Sequence, residues 1–250
     1  MSRELRQFGL IGFPLEHSAS ASYFAKKFER EGLTEYSYSL FPLLSADEIL
    51  PLIKNTPSLQ GFNVTIPYKQ SIIPFLDHLD PVAREIGAVN TVKVKRSDTG
   101  FLLTGYNTDA EGFRKSLGSG FHHTHALILG TGGSSKAVAY SLNKMGLEVL
   151  MVSRSKKDTV TITYHDISPA VVEQYTFIVN CTPAGMFPHI ETAPPFPVEL
   201  LGSGHFVYDL IYNPSETKLL GLAKNAGAKT QNGLKMLGMQ AELAFCILTD

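Results

Sequence analysis

The chain has 250 residues, of which 44% are hydrophobic and 18% are charged, and its formal net charge at pH 7 is -1. This length allows one large or two ordinary domains with a substantial core, and the composition excludes a disordered chain. The balanced charge gives no basic surface for nucleic acid or an anionic membrane, and no segment approaches the ~20 apolar residues of a membrane span.

The first part of the chain alternates between predicted strands and helices. Strands are predicted over residues 7–11, 34–40 and 59–64. A helix begins near Ser18 and Ser20, whose hydroxyls can cap it, and a second begins after Ser45, where Glu48 completes a capping-box pattern. This βαβαβ order predicts an open α/β sheet.

Polar side chains follow the third predicted strand. Asn63 and Thr65 alternate, so they share a face at the carboxyl end of that strand, where open α/β sheets bind ligands. Pro67 ends the strand, and Lys69 lies just inside the next helix, at the unfavourable end of the helix dipole. An exposed surface lysine explains Lys69 equally well, and both interpretations stay open.

A short helix and a hairpin complete this part of the chain. Asp80 and Pro81 are typical of an N-cap and a first helical position. Strands are predicted over residues 87–95 and 101–105, joined by a turn at 97–100. A further helix opens near Asp109 and extends to about Leu117, so the Asp109 carboxylate is stabilised in a first helical turn.

A glycine-rich turn follows an apolar strand at residues 126–129. Gly130, Gly132 and Gly133 approximate the dinucleotide-binding fingerprint, with Ser135 in the place of its third glycine. Gly130 permits a tight turn, and Gly132 lets the backbone approach a pyrophosphate at the start of the next helix. Glycine-rich turns also close ordinary strand–helix corners, so the motif alone is moderately specific.

The next predicted strand, residues 148–152, ends in a basic and hydroxylated corner. Proteins that use NAD place an acid here for the ribose 2′-hydroxyl, whereas this chain has Arg154, Lys156 and Lys157. A guanidinium can bond a 2′-phosphate bidentately. The corner therefore favours NADP over NAD, the alternative being a solvated basic turn.

The remaining predicted elements continue the alternation. Strands are predicted over residues 159–164, 177–180, 205–209 and 227–231, with helices over 215–225 and 233–248. Cys181 and Cys246 lack CxxC spacing, and His122, His123 and His125 lack further ligands, so we expect reduced thiols and no metal site. The N-terminal residues lack a signal-peptide pattern, and we expect a cytoplasmic protein.

Short motifs distributed from residue 12 to residue 240 together resemble the shikimate dehydrogenase family. They occupy residues 12–14, 17–20, 63–69, 87–91, 107–109, 130–133, 153–155, 180–186, 208–214 and 233–240. The resemblance implies that Lys69 and Asp109 are the catalytic pair and leaves open which of them moves the proton. It implies a substrate site formed by Ser18, Ser20, Asn63, Thr65, Lys69, Asn90, Asp109, Tyr212 and Gln240. It implies an NADP site formed by Gly130, Gly132, Gly133, Ser134, Ser153, Arg154, Ser155, Thr182, Met186 and Gly233.

The resemblance also implies the architecture and the reaction. Two α/β domains would face a cleft: a substrate-binding domain at residues 1–109, completed by a helix at 233–250, and a Rossmann-type NADP-binding domain at 110–232. The reaction would be reversible NADPH-dependent reduction of 3-dehydroshikimate to shikimate, on the route to chorismate and the aromatic amino acids. The expected partner is this small-molecule substrate, with neither nucleic acid nor membrane, and the expected state is a monomer or homodimer.

Three alternatives and several departures accompany this prediction. The alternatives are a broader quinate/shikimate dehydrogenase that uses NAD, a non-catalytic NADP-binding sensor, and a dehydrogenase of a related amino-sugar-derived ring. Ala21 stands where the family usually has proline, and Lys136 stands where it usually has arginine. The helix that normally follows the basic corner is shortened or missing after Lys157, which bears on the adenosine wall of the NADP site.

Overall fold

The computed structural model describes residues 5–16, 18–156 and 161–250. The chain forms two compact units. The first unit comprises Met1–Thr108 together with Ala241–Asp250, and the second comprises Asp109–Gln240. The boundary near residue 240 falls inside the last helix, so this helix contributes residues to both units.

A six-stranded mixed sheet forms the centre of the first unit. Its strands are β1 (Arg6–Gly12), β2 (Tyr36–Pro42), β3 (Leu59–Val64), β4 (His78–Leu79), β5 (Thr91–Ser97) and β6 (Gly100–Tyr106). They lie in the order β2-β1-β3-β5-β6-β4. β1 pairs in parallel with β2 and β3, whereas β5 runs antiparallel to β3 and β6. The carboxyl ends of β1 and β3 therefore lie at the same edge of this sheet.

Apolar side chains bury both faces of this sheet. The helices of the first unit are α1 (Ser20–Glu31), α2 (Ile49–Asn55), α3 (Tyr68–Ser71) and α4 (Pro81–Ile86). Ile11 packs with Ile49 and Phe62 in one cluster, while Phe8 packs with Phe24 and Leu248 in another. Because Phe8 and Ile11 are an odd number of positions apart on β1, they point to opposite faces. The C-terminal residues thus complete the core of the first unit.

A six-stranded parallel sheet forms the centre of the second unit. Its strands are β7 (His125–Leu129), β8 (Glu148–Ser153), β9 (Thr161–Thr163), β10 (Phe177–Asn180), β11 (Phe206–Asp209) and β12 (Lys229–Gln231). They lie in the order β12-β11-β10-β7-β8-β9, and every pairing is parallel. This is the doubly-wound strand order of Rossmann folds, with the switch point between β7 and β10.

The remaining helices belong to the second unit, and the last of them extends into the first. They are α5 (Asp109–Leu117), α6 (Gly133–Lys144), α7 (Pro169–Gln174), α8 (Lys218–Asn225) and α9 (Leu234–Thr249). Leu127 and Leu129 pack in one cluster and Ala126 and Ile128 in the other, so β7 is buried on both faces. Such two-sided burial explains why its sequence is a continuous apolar run.

The two sheets confirm the predicted α/β fold class and its Rossmann-type order. The Ser45 capping box is present: its hydroxyl accepts from Asp47 N, and Glu48 Oε1 accepts from Ser45 N at 2.9 Å. It opens a 3₁₀ turn, Ala46–Glu48, that leads into α2. Asp80 caps α4 as predicted, accepting from Val82 N at 2.9 Å.

Several predicted boundaries are shifted. The strand predicted from residue 87 begins at Thr91, because Gly87 ends α4 with a φ of 67°. The helix predicted from residue 215 begins at Lys218, because Thr217 is its N-cap. The sequence prediction missed β4 and α7 entirely.

The segment between β8 and β9 is only partly described. β9 covers residues 161–163 of the strand predicted over residues 159–164, and Tyr164 begins a 3₁₀ turn instead. Residues 159 and 160 lie outside the described part of the chain, as does Lys157. Residues 154–160 separate β8 from β9, which are parallel neighbours in the sheet. This connection is shorter than the roughly dozen residues that usually link two parallel strands. The helix that follows is α7, and it comes after β9.

Candidate active site

The glycine-rich turn has the geometry of a dinucleotide site. Gly130 has a φ of 109°, and its N–H donates to Val152 O at 2.8 Å, which fixes the turn to the neighbouring strand. A Cβ at Gly130 would lie 3.2 Å from the Thr182 methyl group, whereas a Cβ at Gly132 would meet nothing within 4 Å. The space above Gly132 and the start of α6 suit an anion close to the backbone.

The corner after β8 offers a cation and two hydroxyls. Ser153 is buried and its Oγ accepts from Ser155 N at 3.4 Å. Arg154, Ser155 and Lys156 are exposed. An exposed guanidinium at the carboxyl end of the strand beside the glycine-rich turn fits a 2′-phosphate, so the residues present suit NADP.

A loop that follows β10 carries two of the predicted cofactor residues. Asn180 is fully buried, and its Oδ1 accepts from Thr182 N at 3.0 Å and from Thr182 Oγ1 at 2.7 Å. Ala184 N donates to Thr182 Oγ1 at 3.3 Å. Met186 is 41% exposed, which leaves its side chain available to a flat ring.

Asp209 ends β11, next to Asn180, and sequence reasoning did not single it out. Its Oδ1 accepts from Asn180 Nδ2 at 3.0 Å and from Ile211 N at 3.0 Å, and its Oδ2 accepts from Thr217 Oγ1 at 2.7 Å. Burial raises the pKa of Asp209 to about 6, against these three hydrogen bonds, which lower it. The sequence signal that could have identified Asp209 is an acidic residue at the end of an apolar predicted strand.

Gly233 follows β12, and its backbone contacts residues Leu210 and Ile211, which directly precede Tyr212. A Cβ at Gly233 would collide with the Leu210 carbonyl, so this backbone approach requires glycine. Gly233 N donates to Ile211 O at 3.0 Å. Tyr212 is half-buried. The predicted substrate residue and the predicted cofactor residue are thus held by the same short stretch of backbone.

In the first unit, a hydrogen-bonded group of side chains links β2, β3 and β5. Tyr38 OH donates to Asn63 Oδ1 at 2.9 Å, and Asn63 Nδ2 donates to Thr91 Oγ1 at 3.1 Å. Thr91 donates to Asn90 Oδ1 at 3.1 Å, and Asn90 Nδ2 donates to Thr108 Oγ1 at 2.9 Å. Burial raises the pKa of Tyr38, so its hydroxyl stays protonated and remains a donor.

The two predicted carboxylate-binding serines lie at the start of α1. Ser20 is the first residue of the helix, and its N–H donates to Ser18 Oγ at 3.3 Å. The N-cap position is Ala19, and both serines are half-buried. Hydroxyls and N–H groups at a helix start suit a carboxylate. His17, from the same motif, lies outside the described residues.

Lys69 is the second residue of α3, as predicted, although this helix has only four residues. Thr65 precedes α3: its N–H donates to Ile11 O at 2.9 Å and its carbonyl accepts from Tyr68 N at 2.9 Å. The Lys69 carbonyl accepts from Val89 N at 2.7 Å. The Lys69 side chain is half-buried. The backbone around it is held by these hydrogen bonds.

Asp109 and Gln240 belong to the second unit. Asp109 is the first residue of α5 and is only 4% exposed. α5 and α9 approach closely, because a Cβ at Gly112 would lie 2.8 Å from the Gln240 Cβ. Gln240 Nε2 donates to Leu237 O at 3.1 Å.

The described ranges 5–16, 18–156 and 161–250 contain neither a membrane-spanning helix nor a cluster of metal-ligating side chains. None of the helices there is long and apolar enough to cross a membrane. No group of three or more His, Cys, Asp or Glu side chains there is arranged to hold a metal ion.

Comparison with known proteins gives concordant matches. The model of the shikimate dehydrogenase substrate binding domain matches residues 10–92. The chain is 35% identical to the shikimate dehydrogenase (NADP(+)) of Desulforamulus reducens, covering 96% of this chain and 89% of that protein. This alignment extends well beyond residues 10–92, which the family model matches, and it includes both units of the chain.

Solved structures agree with the sequence matches. The shikimate 5-dehydrogenase of Thermus thermophilus, in complex with NADP(H) and shikimate, has a TM-score of 0.84 and 32% identity, covering 98% of this chain and 94% of that one. The quinate dehydrogenase of Corynebacterium glutamicum, in complex with NAD, has a TM-score of 0.84 and 28% identity, covering 98% of this chain and 94% of that one.

Proposed function

The chain belongs to the shikimate dehydrogenase family, and from this membership we propose that it catalyses the reversible NADPH-dependent reduction of 3-dehydroshikimate to shikimate. The observation that carries the proposal is the parallel sheet whose glycine-rich turn is followed, one strand later, by an exposed arginine in place of an acid. The relative with NADP in its printed name and the relative crystallised with NADP(H) and shikimate support the same cofactor and substrate.

We assign cofactor binding to the second unit. The start of α6 would hold the pyrophosphate through Gly132, Gly133 and Ser134, and Ser153, Arg154 and Ser155 would hold the 2′-phosphate. Thr182, Met186 and Gly233 would face the nicotinamide. When bound, NADPH supplies the hydride that reduces the ketone.

We assign substrate binding mainly to the first unit, in keeping with the domain model that matches residues 10–92. Ser18 and Ser20, with Tyr212, would bind the carboxylate at the start of α1. The ring hydroxyls would be held by Asn63, Thr65, Asn90 and Gln240. Since Asn90 and Asn63 already share a hydrogen-bonded group, their amides are oriented before substrate arrives.

We propose that Lys69 and Asp109 handle the proton. Reduction of the ketone adds a hydride to carbon and a proton to the oxygen, so a donor must lie beside that oxygen, and oxidation needs the matching acceptor. The pair of a cation and a carboxylate can serve both directions.

A comparison of substrates, cofactors and variants tests this function. Purified protein should reduce NADP with shikimate, read as nicotinamide absorbance, and Lys69→Ala should lower kcat by roughly 10²- to 10⁴-fold. Lys54→Ala, which removes an exposed lysine from α2, is the matched control and should keep full activity.

The same assay distinguishes the alternatives. Comparable turnover of quinate with NAD would replace the proposal with a broader dehydrogenase, which the similarity to the Corynebacterium glutamicum protein favours and Arg154 opposes. Binding of NADP without turnover of shikimate or quinate would refute the proposed reaction and favour a sensor.

We also infer that the protein acts in the cytoplasm, as a monomer or homodimer, on the route to chorismate and the aromatic amino acids. Cys181 and Cys246 are thiols in the structure, which suits a reducing compartment. Light scattering of the purified chain measures the oligomeric state, and a larger assembly would contradict this inference.

A further inference from the structure

Asp209 is a buried carboxylate that the proposed reaction does not use. It is fully buried at the end of β11, and three uncharged donors point at it: a side-chain amide, a backbone N–H and a hydroxyl. Burying a charge is costly, so a carboxylate retained here needs a reason beyond packing. The groups that donate to Asp209 indicate that reason, because they connect it to two different loops.

The first loop is held through Asn180. A carboxylate can only accept hydrogen bonds, so Asp209 requires that Asn180 present its NH₂ group to it. The Asn180 Oδ1 is then directed at Thr182, where it accepts from both the N–H and the hydroxyl. Asp209 therefore determines the orientation of the amide that fixes Thr182.

The second loop is held directly. Asp209 accepts from Ile211 N and from Thr217 Oγ1, which are the two ends of the segment that contains Tyr212. Because Thr217 donates to Asp209, its oxygen remains an acceptor for Leu220 N, at 3.3 Å, and caps α8. Phe187 N donates to Asn213 O at 3.2 Å, which ties the two loops together.

We propose that Asp209 is a positioning residue that holds Thr182 and Tyr212 in place together, and so couples the order of the cofactor loop to that of the substrate loop. The assignment rests on the proposed function, because the roles of Thr182 and Tyr212 come from it. Asp209 itself touches neither ligand in this proposal.

Two substitutions at position 209 separate positioning from mere burial. Asp209→Asn keeps an acceptor for Asn180 and Ile211 and places an NH₂ group where it can donate to Thr217. Asp209→Ala removes every acceptor and should raise KM for both NADP and shikimate about tenfold or more, with a smaller fall in kcat. The asparagine variant should restore both KM values to within about threefold.

A buried hydrogen bond elsewhere in the second unit gives the matched control. Ser116 Oγ lies 2.8 Å from Tyr208 OH and is fully buried, but it leads to neither loop. Ser116→Ala should therefore leave both KM values unchanged. If it raises them as much as Asp209→Ala does, the effect is general loosening of the unit and the proposal is overturned.

Two further variants keep the proposal testable if Asp209→Ala does not fold. Asn180→Ala releases Thr182 alone and should raise KM for NADP more than KM for shikimate. Thr217→Val releases the Tyr212 segment alone and should raise KM for shikimate more than KM for NADP. Equal effects of both variants on both KM values would overturn the separation into two loops.

Amide hydrogen exchange gives a readout that does not depend on activity. Exchange at Thr182, Ala184 and Ile211 should accelerate in Asp209→Ala and return to wild-type rates in Asp209→Asn, while Gly130 stays protected in both. Unchanged exchange at these three amides in the alanine variant would overturn the proposal. If the wild-type chain does not oxidise shikimate, the proposed function fails, and these exchange rates still decide whether Asp209 holds the loops.

Discussion

At the scale of single residues, the most informative side chain is one that the sequence did not single out. The resemblance assigned roles to Thr182 and Tyr212, whereas it assigned none to Asp209, although Asp209 lies in the same motif, residues 208–214, as Tyr212. Its importance depends on which donors the folded chain brings to it, and Asn180 and Thr217 are 29 and 8 residues away. Such non-local partners cannot be deduced from spacing.

The raised pKa of Asp209 leads to a prediction on stability. Its pKa rises from 3.8 to about 6, because burial penalises the carboxylate more than its hydrogen bonds stabilise it. The folded state therefore binds this proton more tightly than the unfolded chain, and the free energy of unfolding falls as pH rises from about 4 to about 6. At about 1.4 kcal/mol per pKa unit, the ionised group costs the fold roughly 3 kcal/mol at neutral pH.

Asparagine at position 209 cannot ionise and should remove this cost. We expect urea unfolding to give a higher free energy for Asp209→Asn than for wild type at pH 7, with the difference shrinking towards zero near pH 4. Other titrating groups cancel in that difference, since both proteins contain them. A difference that is constant with pH would show that Asp209 has an ordinary pKa in the folded protein.

At the scale of elements, the sequence pattern predicted those helices and strands that have strong local signals. The capping residues Ser45 and Asp80 act within one turn, so their effect is visible in the sequence. The missed elements, β4 and α7, are two and six residues long, and neither shows a full hydrophobic period. β4 depends on tertiary pairing, such as that of His78 with Thr104. α7 has a short local signal, Ser168 as N-cap followed by Pro169, which the sequence prediction did not use.

The connection from α2 to β3 depends on a distant side chain. Arg96 Nη2 donates to Ile53 O at 2.9 Å and to Thr56 O at 2.8 Å, and it lies 3.5 Å from Leu59 O. Ile53 O lies in the last turn of α2 and Thr56 O just after it, where helical acceptors have no intrahelical partner, while Leu59 O lies at the start of β3. A cation also favours the negative end of the helix dipole.

Arg96→Ala should therefore destabilise the protein by about 2–3 kcal/mol, measured by urea unfolding, because it removes the charged donor to the buried Ile53 O and one of the two donors to Thr56 O. Arg96→Lys should recover only part of this loss, since an ammonium group on a shorter stem cannot reproduce the planar fork. Lys95→Ala, which removes an exposed cation next to it, should change stability by less than about 0.5 kcal/mol. An equal loss in both alanine variants would indicate a general effect of charge.

At the scale of the whole molecule, the last helix has a role that the sequence pattern could not supply. Its amphipathic period predicted a helix, and the family resemblance implied that it returns to the first domain. In the structure, Lys27 of α1 is buried and bonds Glu242 Oε2 of α9 at 2.7 Å, across a separation of 215 residues. The first unit is completed only when the end of the chain is in place.

The aromatic cluster around Phe245 allows a test of this dependence. The Phe245 ring lies 5.6 to 6.3 Å from the rings of Phe8, Phe24, Phe28 and Tyr36, all in the first unit. We expect Phe245→Ala to cost about 3 kcal/mol, because it removes a large apolar side chain from this cluster. The exchange of β1 and α1 amides should accelerate, whereas that of β7 and β10 amides should stay close to wild type.

The second unit offers the matched control for that experiment. Phe121 is also partly buried, and its ring lies 4.8 Å from that of Phe177, within the second unit. Phe121→Ala should give the converse pattern, with faster exchange in β7 and β10 and little change in β1 and α1. Faster exchange throughout the chain in both variants would mean that the two units unfold as one, and the C-terminal helix would then stabilise the whole molecule instead of the first unit alone.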